Sequence, residues 1–399
     1  MNRSEELINL GNSYSAKNYN PLPVVLCRGE GVWVYDVEGK KYLDMLSSYS
    51  ALNQGHCHPK IIQTVKDQIE KLSLTSRAFH NDQFAIFCEY LARLTKKDKV
   101  LLMNTGAEAV ETAVKAARKW GYLKKKVKEN CAEIIVCANN FHGRTTTVIS
   151  FSSEEQYRYG FGPYTPGFNI IPYNNLDALK KAINPNTVGF LFEPIQGEGG
   201  VIIPDKGYLS QAKAICNKNN ILFIDDEIQT GLGRTGKMFA YEYEDAVPDI
   251  LIIGKALGGG YYPVSAICAD DDIMDVFTPG DHGSTFGGNP LACAIARTAL
   301  EVIVQEKLTE KAFDLGEYFM NALKKINSPK VKEVRGKGLL IGVEIKKEVG
   351  KARPFCEKLM QEGILAKETH DYVIRFAPPL IITKQEIDWA LTKIKSILQ

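Results

Sequence analysis

Short apolar segments alternate with amphipathic segments from about residue 45 to the region of Thr285. Six runs rich in Val, Ile and Leu predict β-strands: VLLM, EIIVCA, GFLFEPI, ILFIDDEI, DILIIG and VSAICA. Because their apolarity is continuous, these strands are expected to be buried on both faces. Strands that alternate with helical patterns are typical of a parallel sheet joined by crossover helices, which predicts an α/β fold.

The two ends of the chain depart from this central pattern. GVWVYDVEGKKYLDM contains two alternating runs around Glu38 and Gly39, which predicts a hairpin with glycine in the left-handed turn. Near the other end, GLLIGVEI and YVIRFAPPL are strand-like runs that lie among helical patterns. We therefore predict an N-terminal arm over residues 1–49, a large domain with a mostly parallel sheet over 50–283, and a smaller α+β domain over 284–399.

Composition narrows the class of protein. The 399 residues include 49 Lys+Arg and 47 Asp+Glu, a net charge of +2, so no charge excess favours nucleic acid or an anionic membrane. No apolar run approaches the ~18 residues that span a bilayer. The N-terminal MNRSEELINL lacks the features of a signal or transit peptide, which predicts a cytoplasmic protein. The nine cysteines form no C-x-x-C pair, which argues against a disulfide framework and a structural zinc site.

Two glycine-rich segments match phosphate-binding motifs only in part. GLGRTG has the spacing of the dinucleotide fingerprint, but the KMFAYEYEDAVPD that follows is a poor helix, so we predict a loop. Gly254 and Lys255 lack the upstream glycine and the following Ser or Thr of a P-loop. Neither segment predicts a nucleotide site.

The histidines flanking Cys57 suggest a metal site at first sight. His56 and His58 have no further clustered ligands nearby in the sequence, and the chain contains only six histidines. Pro59 is expected to start a helix after them. We predict structural roles for this group and no metal site.

A capped helix start is the first of three features that predict chemistry. Thr105 and Glu108 have the spacing of a capping box, directly after the strand VLLM. The free backbone amides at such a helix start bind phosphate groups. An ordinary capped helix has the same pattern, so this feature alone decides nothing.

An acidic run and a lysine supply the other two features. Asp225, Asp226 and Glu227 end one predicted strand, where at least one carboxylate is expected near a ligand, although solvated loop acids are an open alternative. Lys255 follows the next strand and precedes three glycines, and a desolvated lysine there would have a lowered pKa and react with an aldehyde. Together with the helix start, the acid and the lysine make up a site for pyridoxal 5'-phosphate.

The residues also resemble a known family, the class-III, fold-type I pyridoxal-phosphate aminotransferases. DDEIQTGLGRTG, LIIGKALGGG, FEPIQGEGG and HGSTFGGNP carry the resemblance, which covers essentially the whole chain. Further strings are similar to the ornithine aminotransferases of that family: YNPLPV, LDMLSSYSALNQGHCHP, LTSRAF, IIPYN, RGKGLL and VIRFAPPL. The resemblance implies transfer of the δ-amino group of L-ornithine to 2-oxoglutarate.

The resemblance implies roles for residues at matching positions. Lys255 would bond covalently to the cofactor and move a proton, Asp226 would pair with the ring nitrogen, and Gln229 would contact the ring hydroxyl. Members of the family are at least dimers with active sites at the interface, so a homodimer or larger homo-oligomer is expected. The resemblance also implies that Phe141 stacks on the cofactor ring and that the amides of Gly106 and Ala107 bind its phosphate. Thr285 would contact the phosphate in the partner subunit's site.

The substrate residues implied by the resemblance include two arginines. Arg144 would bind the α-carboxylate of ornithine in a pocket shaped by Tyr19 and Tyr49. Arg375 would bind the α-carboxylate of 2-oxoglutarate and glutamate, and Glu198 would mask it while ornithine reacts. Arginine suits both roles because its planar fork makes bidentate pairs with carboxylates.

The choice of donor depends on Tyr19 and Tyr49. NFHGRT also resembles acetylornithine aminotransferases, so His142 does not separate the two groups. Tyr19 and Tyr49 favour ornithine because they would crowd an acylated α-amine. Aminotransferases for N-acetylornithine or 4-aminobutyrate are the alternatives, with an aminomutase of the same fold further away. A catalytically silent binding protein is disfavoured, since both Lys255 and Asp226 are present.

Overall fold

A computed structural model describes residues 2–399, which form three β-sheets; Met1, the first residue of the predicted arm, lies outside this range. The strands are β1 Leu26–Glu30, β2 Trp33–Asp36, β3 Lys41–Asp44, β4 Lys99–Met103, β5 Glu133–Cys137, β6 Phe168–Ile171, β7 Thr187–Phe192, β8 Leu222–Asp226, β9 Ile250–Ile253, β10 Ser265–Ala269, β11 Val331–Lys337, β12 Leu340–Ile345, β13 Ile364–Leu365, β14 Lys367–Thr369 and β15 Val373–Phe376.

Helical segments surround the sheets. They are α1 Arg3–Tyr14, α2 Ser47–Ser50, α3 Pro59–Ile69, α4 Asp82–Thr95, α5 Gly106–Trp120, α6 Thr146–Ser150, α7 Glu155–Arg158, α8 Leu176–Ala182, α9 Tyr208–Lys218, α10 Asp271–Met274, α11 Pro290–Gln305, α12 Leu308–Lys325, α13 Arg353–Gln361 and α14 Lys384–Leu398. Within residues 2–399, no helix has both the length and the apolar character needed to cross a membrane.

The central sheet has seven strands in the order β4-β10-β9-β8-β7-β5-β6. All six predicted strands are present, and the sheet is mostly parallel, as predicted. The strand β6, with the sequence FNII, was not predicted, because four residues beside a Gly/Pro-rich loop give little pattern. The α/β fold class predicted from the sequence is confirmed.

One strand of this mostly parallel sheet is antiparallel. β10 is antiparallel to both of its neighbours, β4 and β9. The segment between β9 and β10 contains a single 3-10 turn at Lys255–Gly258 and no crossover helix. Because a parallel connection needs a crossover of a dozen or more residues, the chain returns beside β9 in the opposite direction.

Buried apolar side chains cover both faces of the central sheet. On one face, α5 buries Val110, Val114 and Ala117. On the other face, α9 buries Leu209 and Ala212 beside the strands. Every residue of β7 is buried, as continuous apolarity predicts. Full burial of an aliphatic side chain contributes about 1.5–3 kcal/mol, so these layers make the sheet a firm base for its strand ends.

The two smaller sheets connect the ends of the chain. β2 and β3 form the predicted hairpin, in which Gly39 has a φ of 87°. β3 also pairs in parallel with β13 from the C-terminal region. The third sheet has the order β11-β12-β15-β14, and α11 packs against α3 and α4. The limits proposed at residues 49 and 283 remain predictions.

The GLGRTG segment is a loop, as predicted, and it contains a fully buried arginine, Arg234. Nη1 of Arg234 donates to the carbonyl oxygens of Leu339 at 3.0 Å and Pro378 at 2.5 Å. Nη2 donates to Ser47 Oγ at 3.0 Å and to Asn53 Oδ1 at 2.6 Å. Burial lowers the pKa of Arg234 to about 9. Four uncharged oxygens from distant parts of the chain therefore hold this cation.

The histidine pair beside Cys57 lies in acidic surroundings. His56 Nε2 is 2.8 Å from Asp44 Oδ2, and His58 Nε2 is 3.2 Å from Glu306 Oε1. The next residue begins α3 with proline, as predicted. Residues 2–399 contain no group of three His, Cys, Asp or Glu arranged to hold a metal ion.

Candidate active site

A cavity of about 180 Å³ lies where the parallel strands of the central sheet end. Asp226 is the last residue of β8, Lys255 follows β9 after one glycine, and α5 begins beside them at Gly106. The structure therefore brings the acid, the lysine and the helix start together. The lining residues are Gly106, Ala107, Phe141, His142, Gly143, Glu193, Ile195, Asp226, Ile228, Gln229, Thr230 and Lys255.

Only one acid of the run Asp225 to Glu227 lines this inner cavity. Asp226 points into it, whereas its two neighbours lie on the opposite face because side chains alternate along a strand. The Asp225 carboxyl group is fully buried, and burial, followed by the charge of Glu227, raises the pKa of Asp225 well above its usual range. Glu227 accepts hydrogen bonds from Thr230 Oγ1 at 2.5 Å and from the Tyr241 amide at 2.9 Å.

Asp226 is held in place from two sides. The backbone N–H of Ile228 donates to its Oδ1 at 3.0 Å, and His142 Nδ1 lies 2.6 Å from its Oδ2. Burial opposes the charged form of His142, but the hydrogen bond and charge of Asp226 outweigh burial and raise the pKa of His142. The Asp226 carboxylate is therefore oriented before any ligand binds.

Lys255 is a reactive amine in a strained position. Its φ of 47° lies in the left-handed region, at the first residue of the turn between β9 and β10. Its ammonium group forms no ion pair with any of residues 2–399. Burial lowers the pKa of Lys255, against the raising effect of Glu198. A larger neutral fraction of this amine is available for attack on a carbonyl carbon.

The start of α5 forms a cradle with little side-chain bulk. The capping box is present: Thr105 Oγ1 accepts from the Glu108 amide at 3.3 Å, and Glu108 Oε2 accepts from the Thr105 amide at 2.6 Å. The next amides, of Gly106 and Ala107, have no intrahelical partner. A Cβ on Gly106 would lie 3.0 Å from Ile228, and one on Gly143 would lie 2.8 Å from Ala107. Close packing therefore excludes a side chain at both glycines, and free amides at such a helix start bind anions.

Phe141 forms an aromatic wall of the inner cavity. Its backbone N–H donates to Glu193 Oε2 at 3.0 Å, which fixes the loop that carries the ring. Burial raises the pKa of Glu193 to about 7. Glu193 thus holds the backbone of Phe141 in place, and this hydrogen bond was not predicted from the sequence.

A second, outer cavity of about 840 Å³ opens beside the first. Tyr19, Tyr49, Arg144 and Glu198 all line it, as the sequence-based assignment of a substrate pocket requires. Arg144 contacts aromatic rings, and no acidic side chain of residues 2–399 forms an ion pair with it. Its guanidinium group is therefore available to a carboxylate from solution.

The second arginine, Arg375, is already paired with an acid of the chain, Glu198. Arg375 Nη1 donates to Glu198 Oε1 at 2.6 Å and to Gln229 Oε1 at 3.1 Å, and Gln229 Nε2 donates to Glu198 Oε1 at 3.2 Å. Arg375 is only 1% exposed, and its Nε and Nη2 have no partner. Burial opposes the charge on Glu198, but Arg375 outweighs burial and lowers the pKa of Glu198. Gln229 thus connects the inner cavity to this ion pair.

An unusual turn places Tyr49 over this ion pair. The four residues Ser47–Ser50 have φ values of 44°, 49°, 59° and 69°, so α2 is a left-handed turn. Left-handed backbone costs roughly 1–2 kcal/mol per L-residue. Ser47 offsets part of this cost, since its Oγ donates to the Ala377 carbonyl at 2.6 Å. The turn holds the Tyr49 ring centre 4.9 Å from the guanidinium carbon of Arg375.

Arg375 lines neither cavity itself, but it contacts Glu198 and Tyr49, which line the outer one. Thr285 is the other assigned residue outside both cavities. It is exposed and lines neither the inner nor the outer cavity. Its assignment to the partner subunit's site remains a prediction.

Residues 14–398 match the family described as aminotransferase class-III. The chain belongs to the class-III aminotransferases. The ornithine aminotransferase of Geobacillus sp. (strain WCH70) is 61% identical to this class-III aminotransferase over 397 residues, which cover 100% of this chain and 99% of the relative. The family membership predicted from the sequence is confirmed.

Solved structures of other proteins have the same fold as this class-III aminotransferase. One, of the ornithine aminotransferase from Toxoplasma gondii, is described as having partial occupancy of PLP at its active site. Its TM-score is 0.98 at 46% identity, over 99% of this chain and 94% of that one. An acetylornithine aminotransferase from Elizabethkingia anophelis has a TM-score of 0.91 at 49% identity, over 100% of this chain and 99% of that one.

Proposed function

We propose that this class-III aminotransferase binds pyridoxal 5'-phosphate in the inner cavity. The chemistry of the lining residues fits the group: unpaired amides of Gly106 and Ala107 for the phosphate, Phe141 for the ring face and Asp226 for a protonated ring nitrogen. Gln229 is placed for the ring hydroxyl, and Lys255 offers the amine for covalent attachment. When bound, the cofactor supplies an aldehyde that exchanges amino groups and a ring that withdraws electrons.

We infer that the reaction is transfer of the δ-amino group of L-ornithine to 2-oxoglutarate. The products are glutamate 5-semialdehyde, which cyclises to pyrroline-5-carboxylate, and glutamate. In this reaction Lys255 would hold the cofactor and would take up and return a proton at its Nζ, and Asp226 would keep a ring nitrogen of the cofactor charged. Relatives over the full chain length that carry the name ornithine aminotransferase support the choice of substrate.

The observation that carries this proposal is the unequal state of the two arginines. Arg375 is paired with Glu198 at 2.6 Å, whereas Arg144 forms no ion pair with an acid among residues 2–399. A donor carboxylate therefore binds at Arg144, which directs the distal amine of ornithine inward. When glutamate reacts, Glu198 has to turn away so that the free Nε and Nη2 groups of Arg375 bind its α-carboxylate.

Donor preference tests the proposed substrate directly. We expect kcat/KM for ornithine to exceed that for N-acetylornithine and for 4-aminobutyrate by at least about tenfold, or ~1.4 kcal/mol. An acetyl group has to enter beside Tyr49, and 4-aminobutyrate lacks the α-amine. Steady-state rates with 2-oxoglutarate as common acceptor measure the three values.

The matched acetylornithine aminotransferase makes N-acetylornithine the second candidate donor. His142, shared with the FHGR motif of such enzymes, does not decide between them. A clear preference for N-acetylornithine would overturn the choice of ornithine, and it would leave the assignments of Lys255 and Asp226 standing.

We predict that Glu198→Ala changes which amine of ornithine reacts. An unmasked Arg375 attracts the ornithine α-carboxylate and brings the α-amine to the cofactor. Loss of one partner of a largely buried charge pair costs on the order of 2 kcal/mol, or ~30-fold, so δ-amine transfer slows while 2-oxo-5-aminopentanoate appears. The half-reaction with glutamate is preserved or improved. Stopped-flow spectra and identification of the carbonyl product decide between the outcomes.

Glu154→Ala is the matched control for this variant. Glu154 is an acid that lines the same outer cavity but forms no ion pair with residues 2–399. Its removal is expected to leave the regiochemistry unchanged. If Glu198→Ala still yields only glutamate 5-semialdehyde at the rate of the unmodified enzyme, Glu198 does not mask Arg375 in the reaction.

We further propose that the enzyme is a homodimer or larger homo-oligomer and works in the cytoplasm. Phe79 is 72% exposed and Phe286 47% exposed, and buried contact with a second copy would remove both from water. Phe286 is the neighbour of Thr285, so that contact would place Thr285 near the partner's site. Sedimentation of the purified enzyme measures the assembly, and cell fractionation measures the location.

A further inference from the structure

Arg144 lies against two aromatic rings. Its guanidinium carbon is 4.4 Å from the ring centre of Tyr157 and 5.8 Å from that of Phe141. The two rings meet edge to face, with centres 6.0 Å apart and an interplanar angle of 76°. Tyr157 is thus the one side chain here that contacts both the aromatic wall of the inner cavity and the free arginine of the outer cavity.

Tyr157 is itself well fixed. It belongs to the short helix α7, and its backbone N–H donates to the Glu154 carbonyl at 3.1 Å. The side chain is half-buried and lines the outer cavity. Arg144, in contrast, is exposed and follows a glycine with a φ of 118°. The ring therefore restricts an arginine that its backbone leaves free.

We propose that Tyr157 is a positioning residue that determines how tightly the donor carboxylate binds, by holding Arg144 in the orientation that receives it. This inference rests on the proposed role of Arg144. When a guanidinium group stacks on an aromatic ring, its plane lies parallel to the ring and its N–H groups point past the ring edge. A carboxylate can then accept two hydrogen bonds from these N–H groups. Stacking also keeps the guanidinium group from the nearby acids Glu154 and Glu198.

The size of the effect follows from the strength of an arginine–aromatic contact. Such contacts are worth enough at partly exposed sites to change a binding constant by about 3- to 10-fold. The donor carboxylate is remote from the reacting amine, so the contact acts equally on bound substrate and transition state. Its loss therefore raises KM and leaves kcat unchanged.

Three replacements of Tyr157 separate stacking from bulk. Tyr157→Leu keeps apolar volume without a ring and is expected to raise KM for ornithine about 3- to 10-fold with kcat within twofold. Tyr157→Phe keeps the ring but removes the hydroxyl group, which also interacts with Arg144, so it is expected to raise KM by less than Tyr157→Leu does. If the leucine variant is insoluble, Tyr157→Gln replaces it, because glutamine also removes the ring. Tyr159→Leu is the control, because Tyr159 is 81% exposed and makes no contact with Arg144.

A double-mutant cycle with Arg144→Ala identifies the route of the effect. If Tyr157 acts through Arg144, Tyr157→Leu adds less than about twofold to the KM of the Arg144→Ala variant. Full additivity would overturn the inference, and so would an unchanged KM in Tyr157→Leu or a KM raised as much in Tyr157→Phe as in Tyr157→Leu. If Arg144→Ala itself leaves KM unchanged, the proposed role of Arg144 fails, and the inference about Tyr157 falls with it. Should another carboxylate donor be preferred, the cycle is run with that donor.

Discussion

The Lys255→Ala enzyme is expected to have no measurable turnover and a normal fold. Lys255 supplies the amine that lines the inner cavity, and no other lysine of residues 2–399 lines it. Removal of a positioned general base alone slows a reaction about 10²- to 10⁴-fold, and the covalent attachment site is lost as well. Alanine accepts the left-handed φ of 47° about as readily as lysine, so the variant should fold. Coupled assays with ornithine and 2-oxoglutarate measure the rate.

The covalent role of Lys255 has its own measurement. Borohydride reduction should fix the cofactor permanently on Lys255 of the unmodified enzyme. Mass spectrometry should then find the cofactor on Lys255 there and on no lysine of the variant. Lys255→Arg is the matched control, because it restores the positive charge without a nucleophilic amine and should be equally inactive. Turnover by either variant near the original rate would contradict the assignment of Lys255.

Asp226→Ala is the second change that should remove nearly all activity. The substitution leaves a protonated ring nitrogen without its counter-charge and leaves His142 Nδ1 without its partner at 2.6 Å. Breaking a buried charged pair costs about 3–5 kcal/mol, which corresponds to a loss of rate from roughly 10²-fold to roughly 5 × 10³-fold. Single-turnover rates of both half-reactions, at saturating cofactor, measure this loss.

Asp225→Asn is the control for Asp226. Asp225 precedes it on β8 but faces the opposite side of the sheet, where burial favours its protonated form. A neutral amide should therefore replace it with little effect on either half-reaction. Retention of a third of the original activity by Asp226→Ala would argue against pairing with the ring nitrogen.

Local patterns in the sequence predicted most of the central sheet. The six apolar runs form strands because each buries side chains on both faces of the sheet. The Thr105 capping box starts α5 where expected. The direction of β10 was not predictable from its own residues. It depends on the length and conformation of the connection after Lys255, and a run of apolar residues contains no information about its neighbours.

The candidate site shows the same division between local and long-range information. Asp226 and Lys255 were predicted from their positions at strand ends, which meet at one edge of a parallel sheet. The Glu198–Arg375 contact joins residues 177 positions apart, and only the family resemblance suggested it. The support of Asp226 by His142 was missed, since no spacing rule connects a loop histidine to a strand 84 residues later.

The four hydrogen bonds of Arg234 have a consequence for how the chain assembles. Their acceptors come from residues 47 and 53 on one side and 339 and 378 on the other, so neither end of the chain alone can satisfy the cation. A buried arginine with missing acceptors is strongly unfavourable. Partly folded intermediates that lack either end should therefore keep this loop in water, and the two ends are expected to dock in a single cooperative step. A nascent chain would reach its native state only after Pro378, the last of these acceptors, has left the ribosome.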